Sequence, residues 1–196
     1  MIDIAEAILE HQEVIASLRP LASGIREVAE RMTDRLDEGG KILWMGHGGS
    51  AADSQHLAST LEARFRRERL GLASIALTVD SSSMAAFSNE YGFERVFERQ
   101  IEAFCQPNDV VVGLSISGQS PSILSAVRRA RRLGALTVGL AGGGGGDLVA
   151  ACDLCLVVPS DATMRIHEAH VLIGHLLCEW IDSSVIQRKA NDVTYA

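Results

Sequence analysis

Lys41-Ile42-Leu43-Trp44-Met45-Gly46-His47-Gly48-Gly49-Ser50-Ala51-Ala52-Asp53-Ser54-Gln55-His56 is the stretch that decides the fold. Five mostly apolar residues read as a strand. A tight turn of small residues follows, and a helical pattern runs on to Arg64. A second copy of this grammar lies downstream, where Val110-Val111-Val112-Gly113-Leu114 leads through Ser115-Ile116-Ser117-Gly118-Gln119-Ser120 into a helical run over 121–133. A strand, a small-residue turn and a helix N-terminus together make an anion site. Backbone N–H groups point outward there and the helix dipole adds partial positive charge. Glycine lets the backbone come close, and serine hydroxyls add donors. Two such turns point to a phosphorylated ligand at the C-terminal ends of parallel strands.

Working outward, strands are expected at 41–45, 73–78, 110–115, 136–141 and 154–158, and helices at 50–64, 94–104, 121–133, 145–151 and 165–186. The alternation specifies an α/β fold with a parallel sheet covered by helices on both faces. Residues 4–38 read as two helices, punctuated by Pro20 and stopped by Gly39-Gly40. Two roles stay open for them: packing on another subunit, or covering the protein's own sheet. The chain reads as one domain, with a helical segment over 1–38, a core over 39–186 and a tail over 187–196.

Composition sets further bounds. The chain has 196 residues, 47% of them hydrophobic, and a net charge of −7. That is enough apolar material for a substantial core, and too little basic surface for direct nucleic-acid binding. No apolar run reaches membrane-spanning length and the N-terminus is unlike a signal peptide, so a cytoplasmic protein is expected. Cys152 and Cys155 have CxxC spacing, but a strand through both would turn them to opposite faces. Buried structural thiols are therefore the expectation. Gly142 to Gly146 form a run of five glycines that reads as a flexible turn, with a third phosphate loop as the alternative.

Ser120 and Pro121 suit the N-cap and first helical position of the second motif. His56 lies on the helix after the first loop, while His167, His170 and His175 fall on the last helix. His167 and His175 are separated by about 80° around a continuous helix and about 12 Å along it. One metal ion reaches both only if the helix starts late, its end frays or subunits share the site.

The segment Gly46 to His56, the loop Ser115 to Pro121, Asn89-Glu90-Tyr91-Gly92-Phe93 and the run Arg165 to Glu179 together resemble the phosphoheptose isomerases of the sugar isomerase (SIS) domain family. The resemblance is collinear over about residues 40–183. It implies a five-stranded parallel sheet flanked by helices, with N-terminal oligomerisation helices and a homotetramer whose sites lie at subunit interfaces. It also implies interconversion of sedoheptulose 7-phosphate and an aldose, D-glycero-D-manno-heptose 7-phosphate, through an enediol, with zinc (Zn2+) often bound. On this resemblance the substrate positions are His47, Gly48, Gly49, Ser50, Asn89, Glu90, Ser115, Ile116, Ser117, Ser120 and His167. The catalytic positions are His175 and Thr60, and the metal positions are His56, His167 and His175, with Arg64 near the end of the first helix.

The chain departs from that pattern. Thr60 stands where the family has its glutamate, His167 where it has glutamine, His47 where it has asparagine and Ile116 where it has threonine; Glu90 replaces the aspartate of an Asn-Asp pair. Thr60 is neither a base near neutral pH nor a good zinc ligand. Glu62 lies about 200° from it around the helix. Loss of the glutamate raises two non-catalytic alternatives: a tetrameric binding protein, of which one kind in the family binds a bacterial replication initiator, and a sugar-phosphate sensor.

Overall fold

The computed structural model describes residues 2–63 and 68–194, and side chains as far as residue 187. Arg64, singled out above, lies outside the described residues. Five strands form one parallel sheet: β1 (Ile42–Gly46), β2 (Ser74–Ala76), β3 (Val110–Leu114), β4 (Leu136–Gly142) and β5 (Leu154–Val158). Their order is β2-β1-β3-β4-β5. The chain leaves β1 in one direction to make β2 and returns to β1's other side to make β3, so the topological switch point lies between β1 and β3. Both small-residue turns follow these two strands.

Alternation along the strands divides the core. Ile42 and Trp44 of β1, with Val110, Val112 and Leu114 of β3, face α2 (Ala22–Asp37), α3 (Gly49–Glu62) and α8 (Thr163–Thr194). Leu43, Met45 and Val111 face α5 (Val96–Phe104), α6 (Pro121–Arg132) and α7 (Leu148–Ala151). Every residue of β1, β3 and β4 is buried, as a sheet covered on both sides requires.

Of the two roles left open for the N-terminal helices, covering the chain's own sheet is met by α2. α2 buries Ile25, Val28 and Met32 against the chain's own core. α1 (Ile4–Ala16) packs the half-buried Val14 and Ile15 against the same core and leaves Ile4 and Ile8 exposed. It is tied to the start of α8 by Arg165 Nη1 donating to the Ala7 carbonyl at 2.7 Å and by His11 Nδ1 at 2.7 Å from Glu168.

Several expected boundaries shift for physical reasons. A helix absent from the sequence reading, α4 (Ser81–Tyr91), is capped by Asp80, whose carboxylate accepts from the Ser83 amide and hydroxyl. Only Met84 and Phe87 of its serine-rich sequence pack, half-buried, on the core, too few to give an amphipathic signal. The expected helix at 145–151 shrinks to α7, because Gly145 and Gly146 have φ of +77° and +57°. α8 continues beyond residue 186 to Thr194, so the segment expected as a tail begins as helix. Cys152 ends α7 rather than entering β5, and it shares the space over Gly139 with Cys155. The opposite-face expectation fails, but the structural reading stands: burial raises both thiols, Cys155 to about 11. Among the described residues no helix is long and apolar enough to cross a membrane.

Candidate functional site

The two turns meet at the switch point. Gly46 ends β1 where a Cβ would lie 2.6 Å from the Ser50 carbonyl oxygen, so the first turn closes only on glycine. Gly48, with φ +57°, precedes α3, whose first residue is Gly49. In the second turn Gly118 has φ +66°, and a Cβ there would lie 1.9 Å from the Gly145 carbonyl oxygen. The five-glycine run is therefore packed under the serine loop: Leu148 donates its amide to the Gly118 carbonyl at 3.1 Å and Gly142 donates to that of Ile116 at 2.9 Å. The run is thus tied to the serine loop at both its ends.

Between the turns lies a cleft of about 320 Å³, lined by His47, Ser50, Leu114, Ser115, Ile116, Ser117, Ser120 and Thr163. Six of these residues were expected from sequence; Leu114 and Thr163 were not. Thr163 opens α8 and comes to the cleft from a part of the chain with no glycine or serine signature. Ser120 occupies the N-cap of α6 with extended backbone, yet its hydroxyl makes no capping bond. The Ser115 hydroxyl is buried and has no hydrogen-bond partner among the described residues. A buried hydroxyl without a partner is costly. The Ser115 hydroxyl beyond the end of β3 and the Ser120 hydroxyl at the N-terminus of α6 are thus available to a ligand, and a bound phosphate would satisfy them. Ser117 accepts from the Gln119 amide at 3.2 Å, which shapes the turn.

A second group of side chains lies along the seam of α3 and α8. Asp53, His56 and Thr60 recur on one face of α3. His56 Nε2 lies 2.8 Å from His175 Nε2, with the rings edge to face. His167 Nε2 lies 2.7 Å from Asp53 Oδ2. That contact is close but lacks hydrogen-bond alignment, and neither atom has a hydrogen-bond partner among the described residues. Burial raises the Asp53 carboxyl above its ordinary range, against the pull of His167, His56 and His175. The His167 ring also packs on Gly49, where a Cβ would lie 2.7 Å from Nε2, so this seam adjoins the cleft.

α8 is continuous from Thr163, and the spacing constraint on its histidines holds. His167 and His175 each meet a different residue of α3. The three histidines expected at the metal positions thus divide into two pairs. Among the described residues no group of three or more His, Cys, Asp or Glu side chains is set to hold a metal ion. The donor chemistry suits zinc, but this arrangement does not complete a site for it. Thr60 donates its hydroxyl to the His56 carbonyl at 2.8 Å. Glu62 is exposed. Asn89 and Glu90, on the exposed end of α4, do not line the cleft.

His170 is fully buried and its Nε2 lies 3.1 Å from the Ala141 carbonyl; burial lowers its pKa to about 4. Asp53, against His167, and Ser122, whose hydroxyl lies 2.7 Å from His47 Nε2, are polar contacts of the site that sequence reasoning left out. Asp53 had a signal, standing three residues before His56 on the same helical face.

Comparison with known proteins gives a consistent picture. Residues 8–142 match the SIS domain family. The chain is 50% identical over 175 residues to phosphoheptose isomerase 1 of Campylobacter jejuni, covering 89% of this chain and 94% of that one. It is 51% identical over 160 residues to the phosphoheptose isomerase of Roseiflexus, covering 82% and 81%. The solved phosphoheptose isomerase of Neisseria gonorrhoeae superposes with a TM-score of 0.87 at 37% identity, covering 92% and 97% of the two chains.

Proposed function

The chain belongs to the SIS domain family, among the phosphoheptose isomerases, and from that premise we propose that it is an aldose–ketose isomerase acting on a heptose phosphate without the family's glutamate. The observation that carries this reading is the pair of uncommitted hydroxyls, Ser115 and Ser120, in a cleft at the switch point. Fixed neutral donors at a helix N-terminus suit a phosphomonoester. Ser50 and Ser117 complete the cradle, with Gly48 and Gly49 bringing the backbone of α3 close.

The sugar then extends toward the seam of α3 and α8. A proton leaves C1 of the ketose to give an enediol, and a proton is delivered to C2 to give the aldose. His175 is the proposed proton carrier, with His56 beside it. His167 and Asp53 stand at the other end of the seam, next to Gly49. No step is derived through a metal. His56, His167 and His175 would be the residues to hold zinc, which would polarise the substrate carbonyl, but the contacts seen here do not present the three rings to one ion.

An apolar groove between the N-terminal helices and α8, lined by Ile15, Leu18, Ile25, Leu172, Leu176 and Trp180, supports assembly with further copies, as a tetramer in this proposal. The proposed compartment is the cytoplasm, and the four free cysteines are compatible with it.

One observation favours a second reading. The Thr60 hydroxyl is committed to the His56 carbonyl, so nothing at that position can take a proton, as in a protein that binds a sugar phosphate or a protein partner without reacting. Incubation with sedoheptulose 7-phosphate, with and without zinc and followed by NMR, separates the readings. Appearance of the aldose, abolished in His175→Ala, supports the isomerase. Saturable binding with no product supports the non-catalytic reading.

A further inference from the structure

His47, which replaces the asparagine of the first loop, is held on three sides. The rings of Phe93 and Phe97 flank it with centroids 5.2 Å away, tilted by 38° and 34°. Its Nε2 lies 2.7 Å from the hydroxyl of Ser122, the second residue of α6. The remaining ring nitrogen, Nδ1, has no protein partner among the described residues, and the ring lines the cleft beside Ser50, Ser115 and Ser120. Burial alone lowers the pKa of His47, so the ring is neutral near pH 7, with one nitrogen carrying hydrogen and the other a lone pair.

Ser122 decides which nitrogen carries it. The hydroxyl is only 2% exposed, and His47 Nε2 is its one hydrogen-bond contact among the described residues. Were Ser122 to accept from Nε2–H, its own hydrogen would be buried without an acceptor, which is costly. Donating to Nε2 satisfies it and leaves the hydrogen of His47 on Nδ1.

We infer that Ser122 is a positioning residue that fixes the tautomer of His47, and that His47 is thereby a neutral N–H donor to the phosphate group of the ligand in the cleft. This rests on the sugar-phosphate reading given above. It also accounts for the exchange of asparagine for histidine, since an imidazole N–H replaces an amide N–H in the same loop. Because the bond joins the first loop to the first turn of α6, it also couples the two halves of the phosphate cradle.

The test combines tautomer and affinity in the full-length protein. Nitrogen-15 NMR of labelled histidine is expected to show His47 with hydrogen on Nδ1, and Ser122→Ala to lose that signature while Ser122→Thr keeps it. Calorimetry with sedoheptulose 7-phosphate and with inorganic phosphate is expected to show about 10-fold weaker binding for His47→Ala and a smaller loss for Ser122→Ala. His47→Asn, which restores an N–H donor, should bind within about 3-fold of wild type. If His47→Ala does not fold, His47→Asn and Ser122→Ala still carry the test. Hydrogen on Nε2 in the wild type, or affinity indifferent to Ser122→Ala and to loss of the His47 donor, overturns the inference alone. Absence of any phosphomonoester binding overturns it together with the sugar-phosphate reading.

Discussion

The cleft between the two turns and the seam of α3 and α8 touch at Gly49 and His167, yet they are built on different principles. In the cleft, backbone geometry does the selecting. Gly46 and Gly118 stand where a Cβ would collide with carbonyl oxygens, the Ser115 hydroxyl has no hydrogen-bond partner among the described residues, and that of Ser120 makes no capping bond. Along the seam, side chains satisfy one another: His56 meets His175, His167 meets Asp53, and Thr60 turns to its own helix. A loop constrained by its backbone cannot change without losing the turn, whereas side chains on a helical seam exchange with little effect on the fold. The departures at Thr60 and His167 fall on the second kind of surface. Two other departures, His47 and Ile116, line the cleft, where the side chain changes and the glycines of the turns remain.

The sharpest way to break this contrast is to repair the seam. If the cleft is intact and only a base is missing, Thr60→Glu should raise isomerase turnover by about 10²- to 10⁴-fold, the usual contribution of a positioned general base. Initial rates with sedoheptulose 7-phosphate read this directly. An unchanged rate would mean that the two closed pairs, and not the missing carboxylate alone, limit the seam.

Acid probes the helix that carries the seam. His170 has a folded pKa of about 4 against 6.5 when unfolded, so the unfolded chain binds more protons between those values. Its contribution is complete above pH 6.5 and is lost as pH falls toward 4, at a cost of about 3 kcal/mol. Urea unfolding at several pH values should show this loss, and His170→Gln should flatten it. Asp53 works in the opposite sense: its raised pKa makes its ionisation unfavourable to the fold, so stability rises as pH falls through its range. Asp53→Asn should remove that opposing component from the same curves.

The cleft gives the smallest effects, because its donors share the work. Ser117→Ala should weaken sugar-phosphate binding by about 0.5–3 kcal/mol with little change in melting temperature. A drop in melting temperature without a change in affinity would assign Ser117 to the turn, through its contact with the Gln119 amide, and not to the ligand.

The same contrast explains what was legible in the sequence. The strands could be read because burial on both faces demands continuous apolar runs, and the turns because glycine and serine cluster at strand ends. α4 could not be read, since a capped serine-rich helix that packs only Met84 and Phe87 on the core has no sustained period to detect. The pairings across the seam were hidden for a different reason. His56 and His175 are 119 residues apart in the chain, and which residues of α3 meet which of α8 depends on how the two helices lie across the sheet. The helical spacing did show that His167 and His175 could not share one ion simply, and the structure gives them separate partners. Ser120 illustrates the limit of cap rules: it holds the N-cap position while its hydroxyl stays uncommitted.

The most direct test of the central claim is hydrogen exchange at carbon. The protein is incubated with sedoheptulose 7-phosphate in deuterated water, with and without zinc, and C1 is followed by NMR. Deuterium entering C1, lost in His175→Ala, is the result expected if an enediol forms without the glutamate. Tight binding of the sugar phosphate with no deuterium at C1 under either condition would contradict it and leave a protein that holds the ligand without reacting.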